Sequence, residues 1–292
     1  MRKWWLSMSL TAAALVMPIS QSTVFAQPEL KEGIVTPLAK AHAHNDYEHD
    51  RPLYDALDHG FTSVEADVWL EDGELLVAHN KLDVEADRTL KSLYLEPLQQ
   101  KVKQNHGSVY KDNPQDFLLW IDIKSEDAAT YKEIHNQLEQ YQRMLTKISR
   151  TGVKQGAVTV IISGNRPRDL MLDQSVRYAT YDGRMSDLGT GTHNEFMPVI
   201  SDNWTKHFSW QGIGEMPAEE RNKLRTIVNT AHQNGQMIRF WATPDLALPN
   251  RERVWNELLK ADVDLINTDD LPALEDYLRQ NDPQPEKQHI NW

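Results

Sequence analysis

A TIM (β/α)8 barrel, eight parallel strands with helices between them, is the fold class this chain predicts, and three observations carry it. Strand-like and helix-like segments alternate from Leu38 towards the end of the chain, the order that lays helices against a parallel sheet. Two segments, Phe117 to Ile123 (FLLWIDI) and Ala157 to Ser163 (AVTVIIS), are almost continuously apolar, as expected of strands covered on both faces. At 292 residues the chain has room for the roughly 250 that such a barrel uses as one unit. With 40% hydrophobic and 25% charged residues, it also has the composition of a globular domain with a sizeable core.

The first stretch reads as a targeting segment. Met1-Arg2-Lys3 is basic, Trp4 to Ile19 is mostly apolar, and Val24-Phe25-Ala26 supplies the small residues that a signal peptidase reads, so residues 1–26 predict a cleaved leader and an exported protein, periplasmic or secreted. The competing reading, a membrane anchor, fails on length. The apolar run is broken by Ser7, Ser9, Thr11 and Pro18 and falls short of the roughly 20 residues of a span. No Cys is present, which excludes disulfides and thiolate zinc sites. Loss of the leader removes Arg2 and Lys3 and no acidic residue, moving the net charge from −12 to −14. Such acidity argues against broad binding to nucleic acid or anionic membranes. The oligomeric state is left open.

Residues 27–37 form a polar lead-in. Leu38 to Ala43 alternates as a strand and ends at His44-Asn45-Asp46. Pro52 to His59 has apolar residues at helical spacing and Gly60 as a stop signal. In the strand predicted from Thr62 to Leu70, Glu65, Asp67 and Trp69 share one face, so two carboxylates point the same way about 7 Å apart. Glu71-Asp72-Gly73 is a hairpin loop whose register decides the face of His79. A two-residue loop sets His79 opposite Ala66; a three-residue loop with left-handed Gly73 pairs it with Glu65 on the carboxylate face, and this second register is the one expected.

Farther on, the pattern predicts helix from Leu90 to Asn105, the FLLWIDI strand, a long helix from Asp127 to Ile148, the AVTVIIS strand and a helix from Pro167 to Leu172. Single strands are expected from Val176 to Tyr181 and from Met197 to Ser201, around a Gly-rich loop from Gly183 to Asn194. Helix Ala218 to Asn234, strand Met237 to Thr243, helix Arg251 to Lys260, strand Asp264 to Thr268 and helix Pro272 to Gln280 complete the alternation. The barrel domain thus covers residues 38–281, and residues 282–292 are a polar tail expected to be loose.

Active groups of parallel barrels sit at the C-terminal ends of the strands, where His44, Glu65, Asp67, Asp122, Trp241 and Asn267 fall. Three buried carboxylates, Glu65, Asp67 and Asp122, do not stay ionised on neighbouring strands without a cation. A hard divalent ion with oxygen ligands, Mg2+ or Ca2+, meets that need. The plainer alternative puts Glu65 and Asp67 on a solvated edge and pairs Asp122 with Lys124. His44 and His79 then flank the ion as an acid–base pair, since two imidazoles can hold opposite protonation states near neutrality. Lys124, on the strand face of Asp122, either meets a phosphate oxygen or serves only as that ion-pair partner. The remaining histidines, His42 among them, are assigned to surface or packing.

His44-Asn45-Asp46-Tyr47, Ser63 to Leu70 (SVEADVWL) and Leu75 to His79 (LLVAH) resemble blocks of a known superfamily. Its members are barrel phosphodiesterases, including phosphoinositide-specific phospholipase C, glycerophosphodiester phosphodiesterase and the spider-venom type of sphingomyelin-cleaving phospholipase D. The resemblance covers most of the chain beyond the leader and is closest to the family named after altered inheritance of mitochondria protein 6. It implies a PLC-like phosphodiesterase barrel and a metal-dependent phosphodiester hydrolase acting on a small-molecule or lipid-derived substrate. By the same resemblance His44 and His79 are the acid–base pair, Glu65, Asp67 and Asp122 hold one divalent cation, Lys124 contacts the phosphate, and Asn45 matches a metal-ligand Asn of the phospholipase C branch. RFWATPD (Arg239 to Asp245) and DLINTDD (Asp264 to Asp270) look like the seventh and eighth strands, with Trp241 lining the substrate site. Asn45-Asp46 stands where glycerophosphodiesterases carry Arg-Gly, which argues against a glycerophosphodiester substrate.

Three other readings compete. His42-x-His44 is also how amidohydrolase-like metal hydrolases end their first strand, but the middle strands here carry no His. A two-carboxylate glycosidase leaves both histidines without a role. A barrel that keeps the ion site and only binds is the non-catalytic alternative.

Overall fold

A ring of eight parallel strands closes on itself in the computed structural model, which describes Met1 and residues 35–288. Apart from Met1, the expected leader lies outside the described residues, as does most of the lead-in. Strand β1 (Leu38–Ala43) is followed by β2 (Phe61–Glu71), which folds back as the short antiparallel β3 (Glu74–Val77). β4 (Phe117–Ile123) precedes β5 (Lys147–Ser149) and β6 (Gly152–Lys154), then come β7 (Val158–Gly164), β8 (Val176–Arg177) and β9 (Ala179–Gly183). β10 (Val199–Asn203), β11 (Met237–Trp241) and β12 (Leu265–Thr268) complete the set. The ring runs β1-β12-β11-β10-β9-β7-β4-β2 and back to β1, which pairs with both β12 and β2.

Side-chain alternation divides the core. Leu118 and Trp120 of β4, Ile161 of β7, Val199 of β10, Met237 of β11 and Leu265 of β12 form one cluster, the apolar filling of the barrel's lower interior. A second, larger cluster contains the alternate residues, such as Leu119, Ile121, Val160, Ile162 and Ile238, together with helix residues such as Ile134, Leu224 and Leu258. Moving up each strand by two from the lower filling leads to polar residues: Ser63, Glu65 and Asp67 on β2, Asp122 on β4, Ser163 on β7, Arg239 on β11 and Asn267 on β12. The upper barrel is therefore polar by sequence, and it opens at the strands' C-terminal ends.

Four expectations change. The helix begun at Asp127, where the Glu126 carboxylate accepts the Ala128 and Ala129 amides, stops at Gln140 instead of Ile148. Its apolar spacing continues, but the Thr146 amide bonds the Val158 carbonyl at 2.8 Å, and β5 joins β6 and β8 in a small antiparallel sheet. The strand expected from Val176 to Tyr181 splits into β8, in that small sheet, and β9, in the barrel. The hairpin has the two-residue loop: Glu71 pairs with Glu74, and Asp72 (φ 49°) and Gly73 (φ 88°) both take positive φ, the type I′ turn whose twist suits adjoining strands. Finally, the tail is tied down through Gln288. The Ala39 amide donates to the Pro285 carbonyl at 2.7 Å and the Asp116 amide to Gln288 Oε1 at 2.9 Å, at the barrel's lower end.

Candidate active site

Asp67 of β2 lies in register with Asp122 of β4, and Glu65 sits one inward position below Asp67. Glu65, Asp67 and Asp122 each bring a carboxylate oxygen to within 4.8 Å of the other two. The Lys124 ammonium lies 3.0 Å from Asp67 Oδ2 and 3.1 Å from Asp122 Oδ1. Asp67 is almost fully buried, and its Oδ1 has no hydrogen-bond partner, an orphan that a cation would satisfy. Burial and the charge of Glu65 push the Asp67 carboxyl above its ordinary range, and the same causes in the same order raise Asp122 to about 6. Excess negative potential in a desolvated site fits a hard divalent ion. Burial alone would lower the Lys124 ammonium, but Asp122 and Asp67 outweigh it and hold the value above normal.

The two histidines enter from different elements and meet carboxylates in the same way. His44, just past β1, places Nδ1 at 2.7 Å from Asp269 Oδ1, beyond the end of β12. His79 lies two residues beyond the end of β3. The observed hairpin register would set it on the wrong face, but ladder pairing ends at Val77, and its Nδ1 stands 3.1 Å from Asp67 Oδ2. Tyr47 joins the two sides, its hydroxyl 2.8 Å from Asp67 Oδ2, 2.9 Å from Asn45 Oδ1 and 3.3 Å from His79 Nδ1. Asn45 takes a left-handed conformation (φ 49°), with Nδ2 at 3.0 Å from His44 Nδ1. With each Nδ1 committed to a carboxylate, Nε2 of each ring is left for a ligand. Burial would lower the His44 imidazole, but the bond to Asp269 and the charge of Glu65 prevail and raise it.

Beneath the mouth lies a layer that the sequence reading missed. His42, assigned there to surface or packing, is fully buried, with Nδ1 at 2.7 Å from Ser63 Oγ and Nε2 at 3.1 Å from Glu65 Oε2. Burial and the nearby Arg239 lower it to about 3, so it is neutral. Arg239 donates Nη2 to Glu65 Oε2 at 2.5 Å, donates Nε and Nη2 to Asn267 Oδ1 at 2.9 and 2.7 Å, and lies over the Trp120 ring at 4.6 Å. Burial would raise Glu65, but Arg239 and His42 hold it well below the usual carboxylate range. The missed signal was period-two spacing: His42 stands two residues before His44, and Arg239, a lone charge in an apolar strand, two before Trp241. Asp269 was missed too, although it lies inside the quoted DLINTDD block.

Trp241 ends β11 at the mouth, two residues above Arg239, with the Lys206 ammonium 5.9 Å from its ring centre. A cavity of about 460 Å³ opens beside His79, bordered by Tyr47, His49, Asp50 and Arg88. A second, of about 390 Å³, is lined by Ser125, Gly164, Asn165 and Tyr181. Gly164 presses on Asp122, for an added Cβ would lie 2.2 Å from Asp122 Oδ1. The mouth therefore combines two carboxylate-backed imidazoles, a cation-seeking acidic cluster and a lysine, a set suited to moving protons around a bound anion.

Comparison with known proteins gives the chain's family. A family model described as an AIM6-like phosphodiesterase domain matches residues 31–182, and one described as the glycerophosphoryl diester phosphodiesterase family matches residues 237–272. Altered inheritance of mitochondria protein 6 homolog of Arthroderma benhamiae is 30% identical over 293 residues, covering 90% of this chain and 91% of the homolog. Altered inheritance of mitochondria protein 6 of Eremothecium gossypii is 33% identical over 276 residues, covering 82% and 69%. Among solved structures, phosphatidylinositol-specific phospholipase C from Listeria monocytogenes aligns over 85% of this chain and 96% of its own at 12% identity and a TM-score of 0.48.

Proposed function

This chain belongs to the AIM6-like phosphodiesterase family, and from that premise we propose that it hydrolyses a phosphodiester with His44 and His79 as the proton-moving pair. The observation that carries the reading is the matched arrangement His44–Asp269 and His79–Asp67 on either side of the acidic cluster. Each carboxylate fixes its ring's tautomer and orientation, as the buried Asp does in a Ser-His-Asp triad. One Nε2 takes the proton of the attacking hydroxyl, whether of water or of the substrate, and the other returns a proton to the leaving alcohol. Lys124 offsets charge developing on the phosphoryl oxygens, and Trp241 lines the substrate's path.

Glu65, Asp67 and Asp122 would hold one divalent cation, Mg2+ or Ca2+, with Asn45 beside them through Tyr47. Such an ion, when bound, supplies Lewis-acid polarisation of the phosphoryl group. Arg239 and His42 occupy Glu65 Oε2 and keep the carboxylate ionised beneath the site.

The test is hydrolysis of bis(p-nitrophenyl) phosphate, glycerophosphodiesters and lipid phosphodiesters by the wild type, His44→Ala and His79→Ala. Each substitution is expected to cost on the order of 10²- to 10⁴-fold in kcat. Rates unchanged in either variant would remove that residue from the mechanism. An ion bound with no phosphodiester cut would instead make the barrel a binding protein.

A further inference from the structure

A cavity of about 540 Å³ lies away from the mouth, bordered by helix Glu96–Gln104, the end of helix Asp127–Gln140 and the β5–β6 hairpin. That size suits a small ligand. Two of its bordering residues, Leu145 and Gly156, fix its position. Gly156 lies two residues before β7 begins, and the Thr146 amide bonds the Val158 carbonyl at 2.8 Å, so the cavity adjoins the N-terminal end of that strand. Asp122, Lys124 and both site histidines gather at C-terminal ends, on the other side of the barrel. The border is closely built: the Gly156 amide donates to Thr146 Oγ1 at 3.0 Å, and an added Cβ at Gly156 would lie 2.3 Å from the Leu145 carbonyl carbon.

Here the lining reverses the sign of the molecule. In a chain of net charge −12, Arg143, Lys147 and Lys154 border this cavity and, among the described residues, no acidic side chain does. None of the three cations has an ion pair with another described residue. Lys147 and Lys154 are partners in register across the antiparallel β5–β6 pair, so both side chains leave one face, and like charges so placed repel at a cost to stability. Two amides add donors. Gln99 Oε1 accepts from Lys103 Nζ at 2.8 Å and Gln142 Oε1 from the Tyr178 hydroxyl at 3.2 Å, which leaves each Nε2 to donate. The acids of the adjoining helices do not cancel this charge. Glu96 faces Lys91 at 3.6 Å, Glu133 accepts from Gln137 at 3.1 Å, Asp127 starts its helix at the far end, and Glu139, near Tyr178, is matched by Lys103. The hairpin itself carries Lys147, Arg150 and Lys154 and no acid.

A lysine pair held in register weakens its hairpin unless an anion lies between the two charges. We propose that this cavity binds a small polyanion, a ligand carrying two or more phosphate or carboxylate charges. Lys147, Lys154 and Arg143 supply charge-assisted bonds to it, and Gln99 and Gln142 complete its hydrogen bonding. Such a ligand ties the hairpin to the helices beside it, so binding stabilises the folded chain. The site is separate from the mouth, and the inference stands whether or not the barrel hydrolyses a phosphodiester.

Inorganic pyrophosphate and malonate are titrated by calorimetry into full-length protein in EDTA, with thermal melts of the same samples. Three variants accompany the wild type: Lys147→Gln/Lys154→Gln, Arg143→Gln, and Lys124→Gln as the control for anion binding at the mouth. Wild type is expected to bind one anion saturably, more weakly as salt rises, and at roughly a hundredfold excess over Kd to melt about 5 °C or more higher. Preference for pyrophosphate or for malonate then names the ligand's acidic group. The double variant and Arg143→Gln should each bind at least about tenfold more weakly, whereas Lys124→Gln should bind as wild type does. Without ligand, the double variant should melt at or above the wild-type temperature, because the repulsion between the lysines is gone, and should keep its hydrolysis of bis(p-nitrophenyl) phosphate. No saturable binding, equal binding by the double variant, or binding lost in Lys124→Gln overturns the proposal. A double variant that melts well below wild type would make the lysines structural and also overturns it.

Discussion

Asp269 and Arg239 act on the site without being its expected reacting groups, and each supports a residue-scale prediction. His44 is held above its ordinary value because the bond to Asp269 and the charge of Glu65 overcome burial. Asp269→Asn removes the negative partner, so whichever limb of the pH–rate profile His44 sets is expected to move to lower pH, with kcat reduced. An unmoved limb would show that Asp269 does not tune His44. Arg239→Ala strands the ionised, buried Glu65 and is expected to cost about 3–5 kcal/mol in urea unfolding; a loss below about 1 kcal/mol would mean that Glu65 has other support. Asp122, raised to about 6 by burial and Glu65, is protonated below that pH in the metal-free protein. Cation affinity should therefore fall as pH drops through 6, and calorimetry near pH 6 should detect proton release on binding. The reading of these positions from the sequence was uneven for a physical reason. Asp122 stands out as the one charge of its apolar strand, and Arg239 is as isolated in its own, but Arg239's partner Glu65 lies 174 residues away in the chain, so the local period marks its position without giving its role.

Turns and strand ends determine where these groups arrive. Gly164 ends β7 at φ 67°, and a Cβ there would meet Asp122 Oδ1 at 2.2 Å and the Ile123 carbonyl at 2.4 Å. Gly164→Ala is therefore expected to destabilise the fold by about 1–3 kcal/mol and to weaken cation binding by displacing Asp122. Unchanged affinity in calorimetry would argue that Asp122 is no ligand. The β2–β3 hairpin shows how far local pattern reaches. Asp72-Gly73 marks the turn, but a three-residue loop, a common hairpin type that pairs His79 with Glu65, is the register the sequence favours. The chain instead keeps the two-residue type I′ turn and brings His79 in by ending the ladder at Val77. Likewise, helical spacing from Tyr141 to Ile148 was real, yet pairing with Val158 and with the small sheet overrode it. Buried strands were the most legible elements: the FLLWIDI range matched β4 at both ends.

At the scale of the molecule, the closed ring turns separate motifs into one site. β1 lies between β12 and β2, so the HNDY block meets the late NTDD block on one side and the EADVW block on the other, although long stretches of chain separate them. The barrel class was legible because strand–helix alternation and double-sided burial are written in composition; its polar upper interior followed from the same alternation. The opening is proposed as a cation-dependent phosphodiesterase site. Titration of Mg2+ or Ca2+ into EDTA-treated protein, with hydrolysis of bis(p-nitrophenyl) phosphate followed in the same samples, tests it most directly. The account predicts one saturable ion per chain, activity that rises with occupancy, and loss of both in Asp67→Asn. Hydrolysis indifferent to EDTA, or ion binding and turnover that survive Asp67→Asn, would contradict it.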